Sequence, residues 1–290
     1  MLVVNVPGDK VPDDLDRVIR MHFPKLTGTT SWISRRNLPG LVDSPDMTGA
    51  STLETRRRAL FQWPRTGEKR HPDASPETDF EYRRGISSVE ITRYSGGGGD
   101  IVVPNMIGGL PVTAIGERAF ENNQSITGVF IPSSVAHIGN WAFHRCSNIT
   151  KLTLSEGLKF IGDSAFRGCR GLVSLTIPGS VDLIRWNGFQ ACVGLETLTF
   201  VEGIKILENS SFQGCISLNS ITIPPSVSHI GWNAFRDCTS LTSLVFQGDA
   251  PALGGDAFTK TSSGFEIRCR AGALGFTFPK WHGWTIQGTE

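Results

Sequence analysis

The sequence predicts a β-dominated α/β solenoid of about seven turns, each 23 residues long, closed at either end by an atypical segment. Three columns of residues predict it. Phe120, Phe143, Phe166, Phe189, Phe212, Phe235 and Phe258 follow one another at a constant interval of 23 residues. Cys146, Cys169, Cys192, Cys215 and Cys238 keep the same step three places after the phenylalanines, and Ile115, Ile138, Ile161, Ile184, Leu207, Ile230 and Leu253 keep it five places before them. Self-similarity at a fixed period of this size marks a repeat architecture. A unit this short cannot enclose its own apolar face, so the units must stack, each touching only its neighbours.

Within a turn, Leu172, Leu175 and Ile177 give L-x-x-L-x-I, whose last two members alternate as on a strand, and Leu195, Leu198 and Phe200 repeat it. One strand per turn follows, stacked at about 4.8 Å. After the Pro178-Gly179 break, Val181 and Ile184 open a second extended side. The segment leading to Phe189 and Cys192 is long enough only for one helical turn, which supplies the α part of the class. Stacked cysteines have parallel Cβ vectors, poor disulfide geometry, so free thiols are favoured over bridges. With no C-x-x-C pair, no metal is expected.

A slower rhythm overlies the first. Ile131-Pro132-Ser133-Ser134-Val135, Ile177-Pro178-Gly179-Ser180-Val181 and Ile223-Pro224-Pro225-Ser226-Val227 alternate with Leu154-Ser155-Glu156-Gly157-Leu158 and Phe200-Val201-Glu202-Gly203-Ile204, a period of 46 residues. His137 and His229 share a column, as do Trp186 and Trp232; Trp141 stands one place off.

The run Leu218-x-x-Ile221-x-Ile223-Pro224-Pro225-Ser226-Val227-x-x-Ile230-Gly231-x-x-Ala234-Phe235-x-x-Cys238 resembles the unit of the BspA-like leucine-rich-repeat family. The resemblance covers residues 80–290, with 80–116 similar to the family's first turn, 117–258 to its repeats and 259–290, including Trp281 and Trp284, to its closing segment. It implies a curved, right-handed solenoid used for adhesion, surface display or other protein contacts, with no shared catalytic residues. Arg185 and Glu208 stand where the family has Gly, and Gly188 and Ser211 where it has Ala. Residues 1–79 read as a Pro-rich, mostly flexible extension, with a short amphipathic helix expected from Asp13 to Phe23 and a basic cluster at Arg56-Arg57-Arg58.

Charge and motifs then narrow the function. Net charge is +1 over 290 residues, which offers no field for nucleic acid. No apolar run approaches a membrane span, and the first residues do not form a signal peptide. On these grounds the cytoplasm is slightly favoured, a cell-surface location requiring a different N-terminus. No nucleophile elbow, phosphate-binding loop or zinc-protease motif is present, and the Gly96–Gly99 run, followed by a strand, reads as a hairpin loop. The chain is therefore read as no enzyme and without cofactor: a non-catalytic protein–protein interaction scaffold, with a glycan as an alternative partner. A cell-surface adhesin and a purely structural, self-associating module are the rival functions, and the oligomeric state is left open.

Two surfaces are candidates for the partner. By strand alternation Lys151, Thr153, Ser174, Thr176, Thr197, Thr199, Ser220, Thr222 and Ser243 point outward as a flat Ser/Thr face. Solvated β-surfaces are rich in Thr anyway, and that bland reading weighs more. Trp141, Trp186 and Trp232 form an aromatic rim, equally balanced between a contact patch and packing against the next turn.

Overall fold

The structure is a computed structural model, and it describes residues 74–289, which fall within one compact unit spanning Lys69–Glu290. The basic cluster and the helix expected from Asp13 to Phe23 lie outside the described residues. Residues 74–79, grouped with the extension by sequence, are tied to the first turn. The Ser75 N–H donates to the Val102 carbonyl at 3.0 Å, and the Ser95 N–H to the Asp79 carbonyl at 2.8 Å.

Each turn carries two strands that stack on their counterparts above and below. The longer ones are Gly99–Val102, Ile126–Ile131, Lys151–Leu154, Ser174–Ile177, Thr197–Phe200, Ser220–Ile223, Ser243–Phe246, Glu266–Arg270 and Trp284–Thr289. They run parallel in two sheets that part between Lys151–Leu154 and Ser174–Ile177. On the other side, Val89–Tyr94, Leu110–Ile115 and the two-residue strands from His137–Ile138 to Ala252–Leu253 form a further parallel sheet, edged by the antiparallel Phe80–Arg84. Their register advances by one repeat per rung, as in Leu175↔Leu198 and Ile184↔Leu207.

The solenoid therefore has about nine turns, not seven. Both atypical ends contribute rungs of their own: Gly99–Val102 pairs in parallel with Ile126–Ile131, and Glu266–Arg270 with Trp284–Thr289. They lack the phenylalanine that marked the other turns. Nor is the Gly96–Gly99 run a hairpin. It joins strands of two different sheets, a corner shortened to a few glycines.

The helical turn expected before each cysteine is absent, and the backbone shows why. The residues two places before the phenylalanines, from Arg118 and Trp141 to Asp256, hold φ between 53° and 57°, and those two places after, from Asn122 to Lys260, between 57° and 76°. Two left-handed residues within five positions stop a right-handed helix from propagating. The peptide groups are used across turns instead. The Phe143 N–H donates to the Ala165 carbonyl at 2.7 Å and the Phe189 N–H to the Ser211 carbonyl at 2.7 Å, while intervening residues close short loops within the turn. The corner is thus a third hydrogen-bonded wall, and the described residues form a β-solenoid with a single 3₁₀ turn, Glu77–Asp79.

Inside these walls the seven phenylalanines stack as a continuous column, with ring centroids 4.5–6.0 Å apart and planes within 15°. Tyr94 and Phe80 continue it at one end, Tyr94 stacking on Phe120 at 5.3 Å. At the other, Trp284 meets Phe258 edge-on at 6.2 Å and Trp281 meets Phe246 at 5.4 Å. Aromatic caps thus cover the core that a bare solenoid end would expose.

The slower rhythm also has a structural basis. The Gly157 N–H donates to Ser180 Oγ at 2.9 Å, and the Gly203 N–H to Ser226 Oγ at 2.9 Å. Each Glu-Gly turn is thereby bound to the Ser-bearing turn that follows it. Gly157 and Gly203 have φ of 112° and 135°, and a Cβ there would meet a carbonyl oxygen of the preceding turn at 2.4 and 2.0 Å.

Two stability predictions follow from the core. Phe189→Ala removes a ring stacked on both sides and should lower the unfolding free energy by about 3–5 kcal/mol in chemical denaturation. Ser211, fully buried in the alanine column, has a hydroxyl with no hydrogen-bond partner among the described residues. Restoring the column with Ser211→Ala should raise stability by about 1 kcal/mol; an equal or lower denaturation midpoint would show that the hydroxyl is satisfied.

Candidate binding surfaces and the thiol column

The outward positions of the longer strands are held in place by their buried partners. In Thr197–Phe200, Leu198 and Phe200 anchor the strand in the core, so Thr197 and Thr199 must face solvent. The same alternation leaves Lys151, Thr153, Ser174, Thr176, Ser220 and Thr222 exposed, while Ser243 is half-buried. All nine predicted strand-face residues therefore lie along one side of successive turns.

That side is not flat. Thr197–Phe200 and Ser220–Ile223 are paired only at Thr197↔Ser220, whereas the flanking strands pair at four positions. At this place an open depression of about 530 Å³ is lined by Glu196, Thr197, Thr199, Asn219, Ser220, Thr222 and Gln247 above Leu198 and Phe200. Sequence reasoning missed Glu196, Asn219 and Gln247 because they flank the strands and fall outside the two-residue alternation. A signal was present, since Thr150, Val173, Glu196, Asn219 and Thr242 form their own column at the 23-residue step.

Glu196 puts one carboxylate at the depression, and the charges at the two ends of this side are paired. At one end Asp100 accepts hydrogen bonds from Thr127 Oγ1 at 2.7 Å and Lys151 Nζ at 3.0 Å. Those two hydrogen bonds hold its carboxyl below the ordinary value. At the other end Arg268 pairs with Glu266 at 3.1 Å. Between them Thr153, Ser174, Thr176, Thr197, Thr199, Ser220, Thr222 and Ser243 carry hydroxyls, and Val245 is apolar.

The three tryptophans differ in exposure and in local contacts. Trp141 occupies a left-handed position, is half-buried, and lies under Arg118, whose guanidinium carbon is 4.9 Å from the ring centroid. Trp186 and Trp232 are 55% and 61% exposed, two turns apart. Trp232 lies across the next turn at Gly255, where a Cβ would stand 2.6 Å from the ring. Arg185 and Glu208, the departures from glycine, form a cluster beside them: Arg185 Nε is 3.3 Å from Asp163 and 3.9 Å from Glu208. Burial, more than offsetting the Arg185 charge, raises the Glu208 carboxyl above its usual range. On the shorter sheet His137 stacks on Phe160 at 5.3 Å, and burial lowers its pKa.

The cysteine column holds no reactive centre. Its five members are buried and unbridged, and each thiol donates to the carbonyl of the phenylalanine one turn back, Cys146 to Phe120 at 2.9 Å and Cys192 to Phe166 at 3.3 Å. Burial pushes Cys146, Cys192 and Cys238 up to about 12, and Cys169 and Cys215 also upward. Among the described residues no group of His, Cys, Asp and Glu is placed to hold a metal ion, and no helix is long and apolar enough to cross a membrane.

A parallel solenoid with an aromatic spine at a constant 23-residue step is a repeat protein of stacked turns. The chain belongs to the family described as the BspA type leucine rich repeat region, whose model matches in 6 copies over residues 104–196 and 142–266. Among solved structures it is similar to a leucine rich repeat protein of T. pallidum, at 27% identity over 69% of this chain and 87% of that one, with a TM-score of 0.47. It also resembles a leucine rich cell surface protein of Faecalibacterium prausnitzii, at 27% identity over 61% of this chain and 55% of that one, with a TM-score of 0.46. A leucine-rich repeat protein from Bacteroides capillosus matches at 31% identity over 42% of this chain and 94% of that one, with a TM-score of 0.39. No curated protein matches the chain significantly.

The thiol column generates a prediction on pH. Folding raises these thiols from 9.0, so it favours their protonated form. Their contribution is fully present below pH 9 and is lost as pH climbs from about 9 toward about 12, because the unfolded chain ionises first. Denaturation midpoints should fall over that interval, and replacing Cys169, Cys192 and Cys215 by Ala should flatten the slope. A thiol-specific reagent at pH 8 should modify none of the five until the chain unfolds.

Proposed function

We propose that the chain is a non-catalytic interaction scaffold that binds a macromolecular partner through the exposed side of its longer strands. The observation that carries this reading is the depression at Thr197, Thr199, Ser220 and Thr222 on a surface whose positions are fixed from beneath by a fully packed core. Rigid side chains lose little entropy when they are contacted, so a polar surface of this kind binds without first having to order itself. The family to which the chain belongs supports a role in protein interaction or adhesion.

The test is a cross-linked pull-down from the source cell with the full chain, beside a variant carrying Thr153→Lys, Thr176→Lys, Thr199→Lys and Thr222→Lys. Saturable capture of one partner by the first and its loss from the second, with circular dichroism unchanged, is the expected result. Equal capture by both would move the site off the strands, and Trp186→Ala with Trp232→Ala would then be the variants to compare.

A further inference from the structure

The lining of the depression sets the chemistry it would recognise, given the strand-side binding function proposed for the chain. Its polar groups are four hydroxyls, from Thr197, Thr199, Ser220 and Thr222, together with the Asn219 and Gln247 amides and the Glu196 carboxylate. None of the hydroxyls is engaged in a side-chain hydrogen bond with another described residue, and the same holds for the two amides, Asn219 accepting from Thr242 Oγ1 only at its backbone carbonyl. They present donors and acceptors in close alternation.

Three classes of ligand fit this lining poorly. An extended peptide adding itself as a strand needs an open sheet edge, yet both lining strands are interior, flanked by Ser174–Ile177 on one side and Ser243–Phe246 on the other. A protein anchor of the usual kind inserts an aromatic or aliphatic side chain into an apolar pocket. Here Leu198 and Phe200 are only 5% and 8% exposed, so the accessible lining is polar. An anionic group meets Glu196 and no cation, because the Lys151 and Arg268 charges at the ends of the surface are matched by Asp100 and Glu266.

A neutral sugar fits on each count. Its hydroxyls both donate and accept, as the lining does, and it needs no charge partner. The volume, about 530 Å³, is in the range of small-ligand sites, and its open side leaves room for the chain to continue. We infer that the depression is a saccharide site, taking one or two residues of a neutral oligosaccharide, and that the scaffold's partner is a glycosylated one held through its sugars.

The experiment uses the full chain against immobilised neutral oligosaccharides of glucose, mannose and N-acetylglucosamine, with heparin as the anionic comparator and an Arg-rich peptide as the cationic one. The expected result is saturable binding of a neutral oligosaccharide, weakened about tenfold or more by Asn219→Ala and by Thr222→Val, which removes a hydroxyl without changing shape. Trp186→Ala should leave it unchanged. Binding of heparin alone, binding of the peptide alone with loss on Glu196→Gln, or no binding of neutral sugars above that of the four-lysine variant would each overturn the inference. Enzymatic deglycosylation of the pulled-down partner separates the two readings. Loss of capture supports the saccharide site, whereas capture that persists and still depends on the four threonines leaves the strand-side scaffold standing and removes the sugar.

Discussion

A 23-residue turn has room for two short strands and a corner but not for a core of its own, and every other feature is a consequence of that shortage. The phenylalanine column meets it. Each ring lies parallel to the rings above and below at 4.5–6.0 Å, close to the spacing at which strands stack, so aromatic contact and the strand ladders set the same rise per turn. Because the ring must be delivered to the axis within a few residues, the backbone passes through a left-handed residue on either side of it. That forces the corner's peptide groups to pair with the next turn. The buried thiol then caps a phenylalanine carbonyl one turn back, and burial keeps it protonated.

The periodic columns made most of this fold legible from residues alone, because each column is one physical position repeated. The strands and the buried thiols were readable in that way, whereas the closing segment with Trp281 and Trp284 was implied by the family resemblance. Three features were not. The left-handed corner is masked because Arg118, Trp141, Ser164 and Ala191 share their columns with Asn122, Gly168, Asn187, Gly214, Asn233, Asp237 and Asp256, so the Gly, Asn and Asp that favour this conformation do not repeat in every turn. The end turns escaped the count because they carry no phenylalanine at the marked position. The depression escaped because it depends on how far apart two strands lie, and nothing in Leu198 or Ile221 encodes that spacing.

The two candidate surfaces differ in how strictly they are built. The strand side is fixed by alternation: turning Thr199 inward would turn Leu198 out, so its polarity is a direct counterpart of the core. The tryptophans are held only locally, Trp141 beneath Arg118 and Trp232 across Gly255.

The pairing of Glu-Gly turns with Ser-bearing turns bears on how such a chain changes length. Gly157 and Gly203 each need the serine hydroxyl of the turn that follows. Deleting one 23-residue unit would set a Glu-Gly turn against another of its kind and leave an amide without an acceptor, although the phenylalanine column would still close over the gap. Removing or inserting 46 residues keeps both the column and the bond. The increment by which this solenoid grows or shrinks without strain is therefore the double turn, and recombination that respects the core alone would be filtered at the loops.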